Sequence, residues 1–369
     1  RAQDQRSLSI FARGGYGVSE FEHQFFQDVN YDEFQSLVLR NSGNDWLRSN
    51  IKDIATTSLM VGTDLDYQRY TSVGSYINGD YWGLYHMREK TSEHMLASKH
   101  NVDADEIDLL ELDAQIIEGD NQEYLELKNF IENNDLSDET NYEYVKSQID
   151  IDNFVLYNAA QIYIDNRDWP GNNVKFWKHP EGKWRWILYD TDFAFSGQWW
   201  SDWDVNYAYN YNTLEFALDS NGPSWPNPPW STLFFRKLVE NLEFRNKFIN
   251  RYADEMNSRF LPDTVIDHFI GIYDSISNEL INHLDRWASW METSDIYYYV
   301  DRMNNFAANR QPQAKLHILE EFDLLDYHKI SIINDTPNYG YVRINNNLLI
   351  QQENWGGDYF EEVPITLKA

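Results

Sequence analysis

The chain has 369 residues, with 30 Lys or Arg against 60 Asp or Glu, so its formal net charge is −30. This charge argues against binding to nucleic acid or to an anionic membrane, because both need basic side chains to neutralise phosphate. The absence of cysteine excludes disulfides and thiolate-ligated metal sites, and no apolar run approaches the length of a membrane span.

The first 95 or so residues are predicted to be rich in strands, with one helix. Strand-type alternation marks SLSIFARG and FQSLVLRN, the second of which carries Arg40 near its end. Helical spacing in DWLRSNIKDIATTSLM predicts a helix over 45–60 with Asp45 as its N-cap. Asn78-Gly79, flanked by aromatic strand formers, predicts a hairpin.

From about residue 91 the pattern becomes helical, and one helix is predicted over 151–164. A β-hairpin then interrupts the helices, with strands at 173–178 and 183–189 and HPEG as its turn.

A segment rich in Trp, Asn and Pro follows over 196–230. It is longer than a structureless connection usually is, which favours a functional or surface-packed segment. Helices resume and continue to about residue 322. The last stretch, 331–369, returns to strand alternation, so we predict a β-rich appendage or the beginning of a following module.

Acidic and amide side chains gather around this hairpin. Antiparallel pairing should bring Asn173 beside Asp190 and Asp192, which point to one face if the strand stays extended. Asp168 lies in the loop just ahead. Carboxylate and amide oxygens are the ligands of hard cations, so the pattern predicts a site for Mg²⁺, or for Mn²⁺ or Ca²⁺.

The order of these residues matches a protein-kinase catalytic loop. D-x-x-x-x-N over 168–173 precedes a strand pair and then Asp-Phe-Ala at 192–194. In kinases the first Asp orients the acceptor hydroxyl and takes its proton, while the Asn and the later Asp hold Mg²⁺ against the phosphates of ATP. Asp, Asn and Pro-Gly are also ordinary loop formers, so an ordinary turn is the alternative.

An acidic protein that binds phosphate needs basic groups close to it. Arg40, at the end of its strand, is the first choice for the phosphate side, with Arg88, Lys90 and Lys175 as further choices. Glu89 could pair with such a base, as the helix-C Glu of kinases does. Three solvated charges at the start of a helix are an equally good interpretation of residues 88–90.

The chain also resembles the CotH kinase family, named for a spore-coat protein. The resemblance covers about residues 8–325 and rests on four motifs in the family's order: INGDYWGLYHMREK, LLELDAQIIEGD, DWPGNNVKFWKHPEGKWRWILYDTDFAF and MNNFAANRQPQAKLHI. It implies an α+β, two-lobed, atypical protein-kinase-like fold over 1–330. The sheet-rich N-lobe would cover about 1–115 and the mainly helical C-lobe about 116–330, with the appendage after them.

The resemblance further implies that the protein binds ATP and Mg²⁺ and phosphorylates Ser or Thr of secreted, coat or cell-surface proteins. The expected location is extracellular, at the cell surface or in a spore coat. Asp168 would be the catalytic-loop aspartate, Asn173 the metal-binding asparagine and Asp190 or Asp192 the later metal aspartate, with Glu89 as the acidic residue after the G-x-Y strand. Two departures are Ala194 in place of the D-F-G glycine and the lack of a recognisable strand lysine, for which Arg40 is not an equivalent donor.

Two other functions stay open on sequence alone. A carbohydrate-active protein could use Asp168 with Glu89 or Asp192 as its carboxylate pair. Its stacking platforms would come from five tryptophans: Trp199, Trp200, Trp203, Trp225 and Trp230. A pseudokinase-like structural module of a larger secreted multidomain protein is the other, since the chain begins at Arg1 without Met.

Overall fold

A four-stranded antiparallel sheet organises the amino-terminal part of the chain. The computed structural model describes residues 3–195, 205–335, 337 and 340–369. The first seven strands are β1 (Leu8–Phe11), β2 (Phe21–Glu22), β3 (Glu33–Phe34), β4 (Ser36–Arg40), β5 (Asp66–Tyr67), β6 (Tyr70–Ile77) and β7 (Asp80–Glu89). The sheet has the order β1-β4-β7-β6, and Asn78 and Gly79 form the predicted turn between β6 and β7.

Helix α1 (Lys52–Ser58) lies between β4 and the hairpin, and it begins seven residues later than predicted. Residues Gly43–Asp45 form a 3-10 turn instead. The Asp45 carboxylate accepts the backbone N–H of Lys52 at 2.9 Å and that of Ser49 at 3.1 Å. The prediction of a helix that starts at Asp45 was therefore wrong, because Asp45 caps the helix from across a turn.

A second sheet combines strands from distant parts of the chain. Helix α2 (Glu93–His100) leads to β8 (Asp108–Glu111) and β9 (Gln115–Glu118), and the later hairpin supplies β10 (Lys175–Lys178) and β11 (Arg185–Leu188). Its order is β5-β11-β10-β8-β9. A lobe boundary near residue 115 would fall inside the β8–β9 hairpin, and that division of the chain stays a prediction.

Helices make up most of the chain between β9 and residue 322. They are α3 (Gln122–Asn133), α4 (Glu139–Gln148), α5 (Ile151–Tyr163), α6 (Thr213–Leu218), α7 (Leu233–Leu238), α8 (Leu242–Met256), α9 (Pro262–Trp287) and α10 (Thr293–Phe322). Helix α5 is buried along almost its whole length, and Asp150 caps its start by accepting the N–H of Asn153. Because α5 is fixed on all sides, the loop that follows it starts from a rigid position.

The last five strands pack against the helices as two small sheets. They are β12 (Tyr327–Ile333), β13 (Val342–Ile344), β14 (Leu348–Ile350), β15 (Asn354–Phe360) and β16 (Leu367–Lys368). Apolar residues of these strands, among them Ile344 and Tyr359, belong to the same buried cluster as the helices. Asp254 of α8 is only 1% exposed and accepts hydrogen bonds from Asn345, Asn347 and the Tyr359 hydroxyl.

The protein contains both helices and β-sheets, and it is therefore an α+β protein. Among the helices that the structure describes, none combines the length and the apolar character that crossing a bilayer requires.

Replacing Asp254 with Ala tests how firmly these terminal strands are attached. The substitution removes three hydrogen bonds at a buried carboxylate, so we expect the free energy of unfolding to fall by about 2–4 kcal/mol. Residues 342–369 should also become more susceptible to limited proteolysis. Urea unfolding and protease mapping measure both effects. The exposed residue Asp267 of α9 gives the control, since its change to Ala should cost within about 0.5 kcal/mol; equal losses in the two variants would contradict the assignment.

Candidate functional site

The loop after α5 presents Asp168 at the edge of the second sheet. Its side chain is largely buried, and its Oδ2 accepts hydrogen bonds from the amides of Asn172 and Asn173, both at 2.8 Å. The Trp225 side chain also donates to it. Burial raises the pKa of Asp168 to about 6 in spite of these donors. Asp168 is thus a fixed carboxylate whose proton affinity suits proton transfer near neutral pH.

The predicted hairpin brings Asn173 to Asp190, although both strands are shorter than predicted. Phe176 pairs with Trp186 in the centre of the hairpin. The Asn173 amide donates to the backbone carbonyl of Asp190 at 3.4 Å as well as to Asp168. Asp190 has a positive φ of 51°, so the strand does not continue in extended form to Asp192 as assumed.

Asp190 and Asp192 meet at the guanidinium of Arg40, at the end of β4. Both carboxylates contact the same Nη2 atom, Asp190 closely and Asp192 at 3.4 Å. Asp192 also accepts the backbone N–H of Asn44 at 2.9 Å. The structure therefore brings together three predicted site residues from opposite halves of the chain.

The backbone of Gly43 passes directly beneath this contact. A Cβ on Gly43 would collide with the Asp192 carboxylate and lie 2.9 Å from Nη2 of Arg40, and its φ of +60° also favours glycine. A similar close approach occurs at Gly171 in the Asp168 loop, where a Cβ would lie 2.6 Å from the Pro226 carbonyl oxygen. Both glycines thus allow segments distant in sequence to touch the site.

Asp53 of α1 ties the site to the sheet, and sequence reasoning did not identify it. Its carboxylate contacts Nη1 of Arg88 closely and Nε of Arg40 at 3.3 Å. It also accepts the backbone N–H of Thr191 at 2.8 Å. Burial alone would raise the pKa of Asp53, but the two arginines lower it below its ordinary value, so this carboxylate stays charged.

The charges of Asp190 and Asp192 are poorly compensated by comparison. Burial, together with the neighbouring charge of Asp190, raises the pKa of Asp192 to about 8. Burial likewise raises the pKa of Asp190, against the attraction of Arg40. Burial also opposes the charge of Arg40, yet the surrounding carboxylates raise its pKa. Two acids and one guanidinium therefore leave room for further positive charge.

The predicted pairing of Glu89 with Arg40 is not formed. In the register of β4 and β7, Arg40 lies opposite His86 and Glu89 opposite Leu37, so Glu89 points to the other face of the sheet. Glu89 is buried there and accepts hydrogen bonds from the Tyr31 hydroxyl and the Arg69 backbone. Asp53 is the carboxylate that pairs with Arg40 instead.

The other predicted phosphate-binding residues are engaged elsewhere. Arg88 is completely buried and contacts Asp53. Lys90 lies 4.7 Å above the ring of Phe11. Lys175 pairs with Glu111 at 3.2 Å on the neighbouring strand. Within the described part of the chain, none of these three basic side chains contacts Asp190 or Asp192.

The tryptophans of the 196–230 segment do not form one platform in the part that the structure describes. Trp225 is 47% exposed and lies beside Asp168, whereas Trp230 is half-buried against the apolar residues under the loop. Trp199, Trp200 and Trp203 lie outside the described residues.

Arg310 of α10 is a second residue that sequence reasoning missed. It is completely buried and donates to the carbonyl oxygens of Ile162 and Tyr163 at the end of α5. It also donates to those of Tyr209 and Tyr211. Arg310 thereby fixes the beginning of the Asp168 loop to the segment that follows the site. The quoted motif NNFAANRQ contains it, but no spacing rule assigns a buried arginine to backbone carbonyls.

The side chains around the cleft fit a hard divalent cation. Asp190 and Asp192 offer carboxylate oxygens, and the amide of Asn173 donates through Nδ2, which leaves its Oδ1 without a hydrogen bond among the described residues. Within that same part of the chain, Asp168, Asp190 and Asp192 do not all place an oxygen within 4.8 Å of one another. Asp190, Asp192 and the Asn173 amide oxygen are the groups that fit a cation, and Asp168, held by the amides of Asn172 and Asn173, fits a proton acceptor.

Arg40, Asp190 and Asp192 line a cleft of about 440 Å³, together with Gly43 and Asn44. An α+β fold that places an Asp-Asn loop beside a pair of acids held by a guanidinium is typical of a kinase-like phosphotransferase. A family model described as CotH kinase protein matches residues 1–313 of the 369, and the chain belongs to this family. No curated protein sequence matches the chain.

Replacing Asp53 with Ala tests the buried network that supports the site. The change leaves the Arg88 guanidinium buried without its carboxylate, so we expect the free energy of unfolding to fall by about 3–5 kcal/mol. Urea unfolding measures the loss. The double variant Asp53→Ala/Arg88→Met removes both charges and should recover part of it. A loss below about 1 kcal/mol in the single variant would show that the pair does not support the fold.

Proposed function

We propose that the protein is a Mg-ATP-dependent phosphotransferase that phosphorylates Ser or Thr of secreted, coat or cell-surface proteins. The observation that carries the proposal is the arrangement of Asp168 and Asn173 beside Asp190. One amide links the carboxylate that would accept the hydroxyl proton to the segment that carries the acidic pair. Membership in the CotH kinase family supports the same reaction class. We further propose that the first sheet and the helices act as the two lobes of an atypical kinase.

Asp168 would act on the acceptor. Its carboxylate orients the Ser or Thr hydroxyl and takes its proton as the hydroxyl oxygen forms a bond to the γ-phosphorus of ATP. The bond between that phosphorus and the oxygen bridging to the β-phosphate breaks, and ADP leaves. The donors Asn172 and Asn173 hold Asp168 in one position, so most of the catalysis would come from alignment of the reactants.

Asp190, Asp192 and Asn173 would hold Mg²⁺, or Mn²⁺ or Ca²⁺ in its place. The cation supplies positive charge to the phosphate oxygens when it is bound. Arg40 contacts Asp190, one of these proposed cation ligands, so it would lie close to the phosphates. Its planar guanidinium can donate to two oxygens at once. Its contacts with Asp53 and Asp190 keep it within the cleft.

Nucleotide binding and transfer can be separated with Asp168→Asn. With the parent protein, Mg-ATP should raise the melting temperature by a few degrees, since ligand at a hundred times its Kd adds about 2.7 kcal/mol of stability. Chelation should abolish this rise. Asp168→Asn should keep the rise, because Asp168 is not one of the proposed cation ligands, but lose about 10²- to 10⁴-fold in phosphate transfer to a Ser/Thr substrate.

The matched control is Asp267→Asn on α9, which should transfer phosphate like the parent. Transfer by Asp168→Asn at the parental rate would refute the assignment of Asp168. Binding of ATP without transfer by the parent would favour a structural module with a retained pocket. Quenching of Trp fluorescence by oligosaccharides, without any effect of ATP, would favour the carbohydrate function.

The rate of transfer should depend on the ionisation of Asp168. Its pKa is raised to about 6, mainly by burial, so the carboxylate is ionised above that pH and protonated below it. Only the ionised form can accept the hydroxyl proton, so kcat/KM should fall about tenfold per pH unit below pH 6. A pH–rate profile of the parent measures this limb, and the residual rate of Asp168→Asn should lack it. A rate that stays constant down to pH 4 would contradict Asp168 as the base.

A further inference from the structure

The cleft beside the acidic pair, Asp190 and Asp192, is also lined by the amino-terminal segment, residues 3–7. Arg6 of this segment and Arg40 are the two basic residues among the described residues that line the cleft. The charge of Arg40 is already engaged, because its guanidinium contacts both carboxylates of the pair and a third one on α1. Arg6 is therefore the remaining basic side chain at the cleft.

The backbone of Arg6 is fixed at the cleft by hydrogen bonds on both sides. Its own carbonyl oxygen accepts a tyrosine hydroxyl of β7 at 2.7 Å. The carbonyl oxygen of Gln5, which is completely buried, accepts the side-chain amide of Asn41 at 2.6 Å. The Ser7 hydroxyl donates to Oδ1 of Asn41 at 2.8 Å and accepts its backbone N–H at 3.1 Å. Because Asn41 directly follows Arg40, these bonds hold Arg6 next to the segment that carries the site.

The guanidinium of Arg6, in contrast to its backbone, has no partner. Arg6 is exposed, and no hydrogen bond, ion pair or ring contact reaches its guanidinium from the described part of the chain. Most other arginines in that part contact a carboxylate, a backbone carbonyl or an aromatic ring, as Arg185 and Arg310 do. Arg6 thus combines a fixed position at the cleft with hydrogen-bond donors that are not used within the fold.

The charge balance of the cleft shows where such a cation matters. A divalent cation held by Asp190 and Asp192 would offset their negative charges, and Asp53 offsets the charge of Arg40. Among the described lining residues, Arg6 then adds the positive charge that no carboxylate contacts. ATP is a polyanion and the chain has a formal charge of −30, so a local cation is needed to counter the repulsion between them.

We propose that the guanidinium of Arg6 binds the phosphates of the nucleotide, so that the amino-terminal segment forms part of the nucleotide site. This proposal rests on the proposed function, and it adds a residue that neither the kinase spacing nor the family resemblance assigned. A planar guanidinium can donate to two phosphate oxygens at once. Arg40 holds the acidic pair, and Arg6 supplies a second cation whose donors are available to the ligand.

The variant Arg6→Gln tests the proposal through ligands with and without phosphate. It should weaken Mg-ATP binding about tenfold, the lower end of the loss on removing a hydrogen bond to a charged group, because Arg6 is exposed to solvent. Adenosine, which has no phosphate, should bind the variant and the parent equally. Titration calorimetry on the full chain gives both affinities.

The salt dependence of binding gives a second readout that a purely steric role for Arg6 would not change. The contribution of an exposed cation is screened by salt, since the Debye length falls from about 10 Å at about 0.1 M to about 3 Å at about 1 M. Raising the KCl concentration over this range should therefore weaken Mg-ATP binding more in the parent than in Arg6→Gln. Arg6→Lys keeps the charge but not the fork, so it should restore the salt dependence and part of the affinity.

The matched control is Arg245→Gln on α8. It removes another arginine whose guanidinium has no partner among the described residues, and Arg245 does not line the cleft. The affinity for ATP and its salt dependence should stay unchanged in this variant. Both Gln variants should unfold within about 0.5 kcal/mol of the parent, because neither loses a side-chain contact within the described part of the fold.

Four results would overturn the proposal. Unchanged ATP affinity in Arg6→Gln, with ATP binding by the parent, refutes the role of Arg6 and leaves the proposed function standing. Equal losses of ATP and adenosine affinity show that Arg6 only shapes the cleft. Unchanged ATP affinity with a raised KM for the Ser/Thr substrate places Arg6 at the acceptor instead. Absence of ATP binding by the parent removes the proposed function and this proposal together.

Discussion

The buried carboxylate of Asp53 is the interaction on which the site depends. It contacts Arg40 on β4, Arg88 on β7 and the backbone of Thr191, so one side chain fixes the first sheet, α1 and the acidic segment against one another. Without it, two guanidiniums would lie close together in a poorly hydrated region, which Coulomb repulsion and desolvation both oppose. The positions of Asp190 and Asp192 at the cleft therefore follow from a charge balance within the fold.

Much of the fold was predictable because local patterns decide it. The Asn78-Gly79 hairpin and α5 agree with their periodicities, since each depends on residues adjacent in sequence. The beginning of α1 was not predictable. Asp45 satisfies the N-cap rule locally, but the chain first makes a tight turn over Gly43, which the contact with the distant Asp192 requires. Tertiary contact overrides propensity there.

The site, like the fold, was predictable only in part. Asp168, Asn173 and Asp190 lie within one hairpin, so their proximity follows from strand pairing alone. Which charged residues can face the proposed phosphate position depends on the face of the strand that each residue occupies. Arg88 and Glu89 are adjacent on β7 and must point to opposite faces, so both could not serve one cleft. That restriction was present in the sequence, whereas the contacts of Asp53 with Arg88, 35 positions away, and with Thr191, 138 positions away, were not.

Positive charge is placed at close range in the cleft of this acidic chain. Net charge acts over long distances and is screened by salt, whereas buried charges act at close range with little screening. Arg40 lies beside the acidic pair and is bound to it, so its positive charge acts where Asp190 and Asp192 meet. The cleft can therefore present positive charge locally although the chain as a whole is strongly negative.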